Sequence, residues 1–260
     1  MSLISFASAK GSPGVTQTVA GLTALWPKPA VMADLDPIGG DVAIRYRADN
    51  GKPLDLDRGL VSLGAALRGG KQADVDDHLQ TTEEGMRTLV GVATPGQVQG
   101  LGTTWPHIAN ALRSYDDDVL ADCGRFSPGS PIMPVIERSA AMVFIARSDV
   151  VALSHLRERL LALQEPLRIG AIDGVAVGVV LVGNPRDSRS IDDTELLLAS
   201  AGLAVRSLGV IAHDPKTAQE LQTGSQRNIR RSPLIRSLSD VAERIQSLVL
   251  ARTVAFQEAR

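Results

Sequence analysis

The run Lys10-Gly11-Ser12-Pro13-Gly14-Val15-Thr16-Gln17 combines residue types that hold phosphate with one gap. Glycines allow a tight turn, and free backbone N–H groups at a helix start point at an anion. A hydroxyl at Thr16 suits the Mg2+ that accompanies nucleotide phosphates. A phosphate loop that drives hydrolysis carries lysine just before that hydroxyl, where it reaches the β- and γ-phosphates. Here the position holds Val15. The expected chemistry is nucleotide binding through Gly11, Ser12, Pro13, Gly14, Val15, Thr16 and Gln17, without the main cation.

Two acidic motifs accompany the loop. Asp34-Leu35-Asp36-Pro37-Ile38-Gly39-Gly40-Asp41 follows one strand–helix–strand unit later. Near a nucleotide, Asp34 and Asp36 would orient an attacking water or hold a metal-bound water. Such residues also favour an ordinary turn at a strand end. Val119-Leu120-Ala121-Asp122 is an apolar strand ending in a carboxylate, the pattern that reaches Mg2+ through water. Metal candidates are therefore Thr16, Asp36 and Asp122. Asp116-Asp117-Asp118 reads as a solvated turn, because adjacent carboxylates repel and diverge along a strand. Cys123 reads as a small packing residue. His78, His107, His155 and His213 are scattered without metal-ligand spacing.

These residues need a sheet edge to bring them together. Apolar runs at Ile4–Ala9, Ala30–Ala33, Leu89–Val92, Val119–Ala121, Met142–Ala146, Val177–Val182 and Leu208–Ile211 read as strands. Several lack alternation, as expected of parallel strands covered on both faces. Helical patterns fill Gln17–Leu25, Val61–Arg68, Thr104–Arg113, Ile132–Ser139, Asp149–Gln164, Asp192–Ala201 and Pro215–Thr223. A last helix runs from Pro233 to about Phe256, with Leu234–Leu248 packing on the sheet. The alternation predicts a doubly wound α/β fold, mainly parallel with helices on both faces, and ligands at the strands' carboxyl ends. Arg47–Gly59 and Gly69–Gly85 read as loops too short to separate domains. Residues 1–260 are expected to form one domain, with residues 249–260 as a tail.

A formal charge of −2 gives no global drive toward nucleic acid, and 3% aromatic residues argue against base stacking. Arg227-Asn228-Ile229-Arg230-Arg231 is a modest basic cluster, expected to be a solvated loop rather than a DNA site. One cysteine fits a reducing, cytoplasmic setting, and no apolar run of about 18 residues marks a membrane span.

Taken in order, the three motifs resemble the ParA/MinD family of deviant P-loop ATPases. The family's loop reads roughly Lys-Gly-Gly-x-Gly-Lys-Thr-Thr. Lys10, Gly11, Gly14 and Thr16 match it, while Ser12 and Val15 depart. Asp34–Gly40 is similar to the family's second acidic motif, and Asp122 to its Walker B carboxylate. The resemblance implies ATP or ADP with Mg2+, and a homodimer in which Lys10 acts across the interface. It implies catalytic roles for Lys10, Asp34 and Asp36 if the protein is active. It also puts His213 and Asn184 near the base. Ala33–Ala43 looks closest to the TadZ/CpaE branch, which localises pilus assembly machinery at a pole. The loop also resembles that of MinD-like proteins of high-GC Gram-positive bacteria.

These likenesses imply a positioning or scaffold protein with weak or lost hydrolysis. Its partners would belong to a pilus, secretion or other positioning system, at a pole or the inner membrane face. The other reading is an active partitioning or septum-site ATPase with Lys10 as the compensating cation. Arg125, supplied by a partner, is a further substitute, or else a surface arginine. Some relatives end in an amphipathic membrane-targeting helix, so membrane contact by the tail is a further expectation.

Overall fold

The computed structural model describes residues 1–222 and 231–258. Most of the basic cluster (227–230), the end of the helix expected to reach Thr223, and the last two residues of the tail lie outside the described residues. Eight strands form one sheet: β1 (Leu3–Ser8), β2 (Ala30–Asp34), β3 (Gln80–Thr81), β4 (Arg87–Leu89), β5 (Asp118–Arg125), β6 (Ala141–Arg147), β7 (Ala176–Gly183) and β8 (Arg206–Ala212). The order is β3-β4-β2-β5-β1-β6-β7-β8, and only the β3–β4 pair is antiparallel.

The central strands are largely apolar because each face meets its own helical layer. Along β6, Met142, Phe144 and Ala146 enter one apolar cluster, and Ala141, Val143 and Ile145 enter the other. On one side lie α1 (Val15–Leu25), α9 (Pro215–Gln222) and α10 (Pro233–Glu258). The other side carries α3 (Leu60–Ala66), α5 (Trp105–Arg113), α6 (Met133–Glu137), α7 (Val150–Leu163) and α8 (Ser188–Ser200). Two short helices, α2 (Val42–Arg45) and α4 (Pro95–Gly100), lie in segments for which the sequence pattern predicts no element. The α10 face that was expected to pack does so: Leu234, Leu238, Val241 and Ile245 are buried.

Some boundaries differ from expectation for identifiable reasons. β4 ends at Leu89 rather than Val92, because its partner β2 ends at Asp34. The carbonyls of Val90 and Val92 instead accept from the N–H groups of Leu60 (2.8 Å) and Gly40 (2.7 Å). α8 begins four residues early, where the Asp187 carboxylate caps it by accepting from Ser190. Asp118 is not in a solvated turn. It is buried, opens β5, and accepts from the indole N–H of Trp26 at 2.9 Å.

β1 lies between β5 and β6, so the chain leaves it first toward one sheet edge and later toward the other. Ligands of doubly wound sheets bind at the carboxyl ends beside such a switch. The carboxyl end of β1, Ser8, leads directly into Lys10–Thr16.

Candidate nucleotide site

The loop from Ala9 to Gly14 turns the chain from β1 into α1. Gly14 holds φ +96 at the N-cap position, a left-handed geometry that side-chain-bearing residues adopt at a cost. Its carbonyl accepts the first helical bond, from Thr18 at 2.9 Å. No side chain caps the helix, so the N–H groups of its first turn are available to an anion. Val15 is 7% exposed and lies in the apolar cluster that contains Phe6, Val19 and Val143. It fills the core and leaves the cradle without a cation. Thr16, the next residue, is half-buried at the site, and Gln17 is exposed.

β2 and β5 place Asp34 and Asp122 opposite each other in register, and both are almost completely buried. Asp34 accepts from the N–H of Val42 at 3.1 Å and, more weakly, from that of Asp36 at 3.4 Å. Gly40 and Gly91 lie flat against its carboxylate; a Cβ on either would come within 3 Å of it. Burial, then the charge of Asp122, pushes the Asp34 pKa up to about 8. Asp122 Oδ1 accepts from Gly124 at 2.9 Å, and Oδ2 has no hydrogen-bond partner among the described residues. Burial raises Asp122 to about 6, against the opposing pull of the Thr16 hydroxyl and the Gly124 N–H.

Asp36 is half-buried and accepts from the Ile38 N–H at 2.8 Å. It sits over Gly124, whose φ of +54 and missing Cβ make the space; a Cβ there would meet the Asp36 carboxylate. Burial raises the Asp36 pKa, with Arg125 opposing. The structure thus brings Thr16, Asp34, Asp36 and Asp122 to one sheet edge. The orphaned, buried Asp122 Oδ2 beside the Thr16 hydroxyl fits a hydrated Mg2+. Among the described residues no group of three or more His, Cys, Asp or Glu is arranged to hold a metal unaided. A Mg2+ here would rely on Thr16, Asp122, Asp36 and the phosphates it accompanies. Cys123 faces the core, where burial raises its thiol pKa far above the usual range.

A cavity of about 500 Å3 opens beside the loop, lined by Ser12, Pro13, Gly14, Gln17, His213 and Asp214 among others. Its size suits a small-molecule ligand. His213 is exposed at its edge, held by its N–H to the carbonyl of Gly183 at 2.9 Å. Asn184 is not among its lining residues; its Oδ1 accepts from the Arg186 N–H at 3.1 Å and shapes the loop after β7. Lys10 is exposed, and its ammonium donates to His155 Nε2 at 2.8 Å. That pairing across 145 residues had no local sequence signal.

Fold and site together define a P-loop NTPase fold of the MinD/ParA type. Known structures bear this out. MinD cell division ATPase from Pyrococcus furiosus superposes with a TM-score of 0.69 at 20% identity, covering 95% of this chain and 99% of that one. MinD from Pyrococcus horikoshii, solved with Mg-ADP, gives 0.69 at 17% identity over 96% and 98%. A ParA family ATPase from Chlorobium tepidum gives 0.67 at 18% identity over 93% and 97%. No protein-family model matches the sequence, and no curated protein matches it. The similarity is therefore one of architecture.

Proposed function

We propose that this chain is a MinD/ParA-like positioning or scaffold protein that binds adenine nucleotide with Mg2+ and hydrolyses it very slowly or not at all. The observation that carries this reading is Val15: it is buried in the core at the position where a catalytic loop holds its lysine. The rest of the constellation persists, with a glycine-turned loop, Thr16, and three carboxylates at the strand ends. The Mg-ADP bound by the Pyrococcus horikoshii protein supports the same ligand class here. Mg2+, when bound, supplies charge neutralisation at the phosphates. Backbone N–H groups of the loop hold the phosphates, and the cavity beside His213 takes the base. Asp36, half-buried at the sheet edge, orients water there, and Asp34, buried beneath Gly40 and Gly91, holds the Val42 N–H and so the turn that carries Asp36. Removing a preorganised contact to developing charge costs about 10²–10³ in rate.

The pilus-localising role rests on the likeness of Ala33–Ala43 to the TadZ/CpaE branch. In that role the chain acts as a homodimer, in the cytoplasm or recruited to a pole. The second reading, an active ATPase, draws on one observation: Lys10 is exposed at the rim and free of acidic partners among the described residues.

Calorimetry with Mg2+–ATP and Mg2+–ADP, with steady-state phosphate release, separates the readings. We expect measurable binding and negligible turnover, rising by about 10²-fold or more in Val15→Lys. Rapid native turnover abolished by Lys10→Ala would establish the active ATPase instead. Absence of binding at millimolar nucleotide would sink both.

A further inference from the structure

A second concavity, of about 420 Å3, lies next to Asp36, between Pro37–Ile38 and the Ser127–Pro131 loop. Two arginines from different elements line it. Arg125 ends β5, three residues past Asp122. Arg159 comes from α7, and its Nη2 donates to the carbonyl of Ala9 at 3.4 Å, at the entrance of the phosphate loop.

Among the described residues neither arginine makes an ion pair within 4 Å. Burial, then repulsion from Arg125, lowers the Arg159 pKa, so the two guanidinium groups feel each other. The half-buried Asp36 feels Arg125 as well. Lys10 is tethered nearby through His155, one helical turn before Arg159 on α7. Two arginines, from β5 and α7, thus share one concavity. Like charges held in a concave site repel until an anion joins them. Guanidinium forks match phosphate oxygens in particular.

We propose that Arg125 and Arg159 form a relocated cation site for the terminal phosphate of a nucleoside triphosphate held by Gly11–Thr16. The charge that Val15 lacks is then supplied from the same chain, by side chains of β5 and α7 beside the entrance of the loop. This rests on the nucleotide reading above and adds to it a preference for triphosphate over diphosphate. The diphosphate ends within the loop's own N–H groups and has no group at the arginines. The arginines are thus a specificity device: they report whether the third phosphate is present.

The test is calorimetry of the full chain with Mg2+–ADP and with a non-hydrolysable Mg2+–ATP analogue. The unaltered chain should prefer the analogue by about tenfold or more, the order expected of charge-assisted hydrogen bonds. The double variant Arg125→Gln/Arg159→Gln should lose that preference while its ADP affinity stays within about twofold of native. Adding Val15→Lys to it should restore the preference. Circular dichroism melts establish that the double variant folds; if it does not, Arg125→Lys/Arg159→Lys, which keeps charge but loses the fork, should lose part of the preference. A native chain that binds both nucleotides equally, or a folded double variant that keeps the native preference, overturns the proposal and leaves the nucleotide reading intact. A native chain that binds neither overturns both.

Discussion

Asp34 and Asp122 face each other across β2 and β5, almost without water, so their charged forms are costly. Both pKa values are raised in the fold, to about 8 and about 6, from 3.8. The folded state therefore holds protons that the unfolded chain has already released. The resulting stability is complete below about 3.8, declines as pH rises, and is gone once pH passes the folded values. The lowered carboxyl pKa values, of Asp187 and Asp214, act at the acid end and leave this window unaffected. We expect the unfolding free energy from urea melts, measured with chelator to keep out metal, to fall from pH 5 to pH 8 by at most about 1.4 kcal/mol per pH unit and group, with His78, lowered from 6.5 by burial, opposing the fall at the acid end of that range. Asp34→Asn should flatten the fall between pH 6 and 8. A variant as steep as native would show that Asp34 is already ionised in that range. At this scale the sequence was informative about identity and silent about surroundings. Asp34, Asp36, Asp122 and Thr16 stand out from their motifs. Gly91 against Asp34, and His155 against Lys10, come from distant elements with no signature of their own.

The edge of β5 shows how an element serves the site. Its register with β1 shifts between Phe6 and Ser8, and Gly124 takes φ +54 there, which sets Asp36 over the strand. Gly124→Ala would place a methyl within 1.9 Å of an Asp36 oxygen and force a left-handed alanine. We expect a loss of about 1–3 kcal/mol in stability. We also expect weaker Mg2+-dependent nucleotide binding, read as a fall in affinity with Mg2+ but not with chelator. Equal affinities in native and variant would show that Asp36 has no part in the metal site. This irregularity was not visible in sequence, where Asp122-Cys123-Gly124 reads as a strand simply ending. The main strands were legible because burial on both faces makes them largely apolar. Gln80–Thr81 was not: a two-residue polar edge strand carries no period, and its pairing with β4 is fixed by tertiary contact. The starts of α1 and α8 were misplaced because glycine and aspartate N-caps precede any apolar repeat.

For the whole molecule, the open question is what the loop edge meets. α10 continues beyond its packed portion, but Arg252 ties it back by donating to the Ala140 carbonyl at 3.0 Å. Leu250 and Val254 are exposed there. Among the described residues no helix is long and apolar enough to cross a membrane. The rim of the site is more telling. Val151, His155 and Arg159 recur every fourth residue of α7 and so share one face, on which His155 and Arg159 meet the loop. Val151 is 63% exposed, Val150 is 80% exposed, and Ile38 beside the second concavity is 52% exposed. Exposed aliphatic side chains next to a cationic pocket suit a face that a second copy covers once phosphate has neutralised the pocket's charge. The homodimer proposed for this chain would then form around bound nucleotide, with charge repulsion opposing it in the free protein. Sedimentation velocity should show a monomer alone and a dimer with the Mg2+–ATP analogue. Val151→Asp should stay monomeric while binding the analogue with affinity reduced only by what dimerisation contributes. A dimer of equal stability in Val151→Asp would move the interface off this face, and a dimer without nucleotide would separate assembly from the charge of the site.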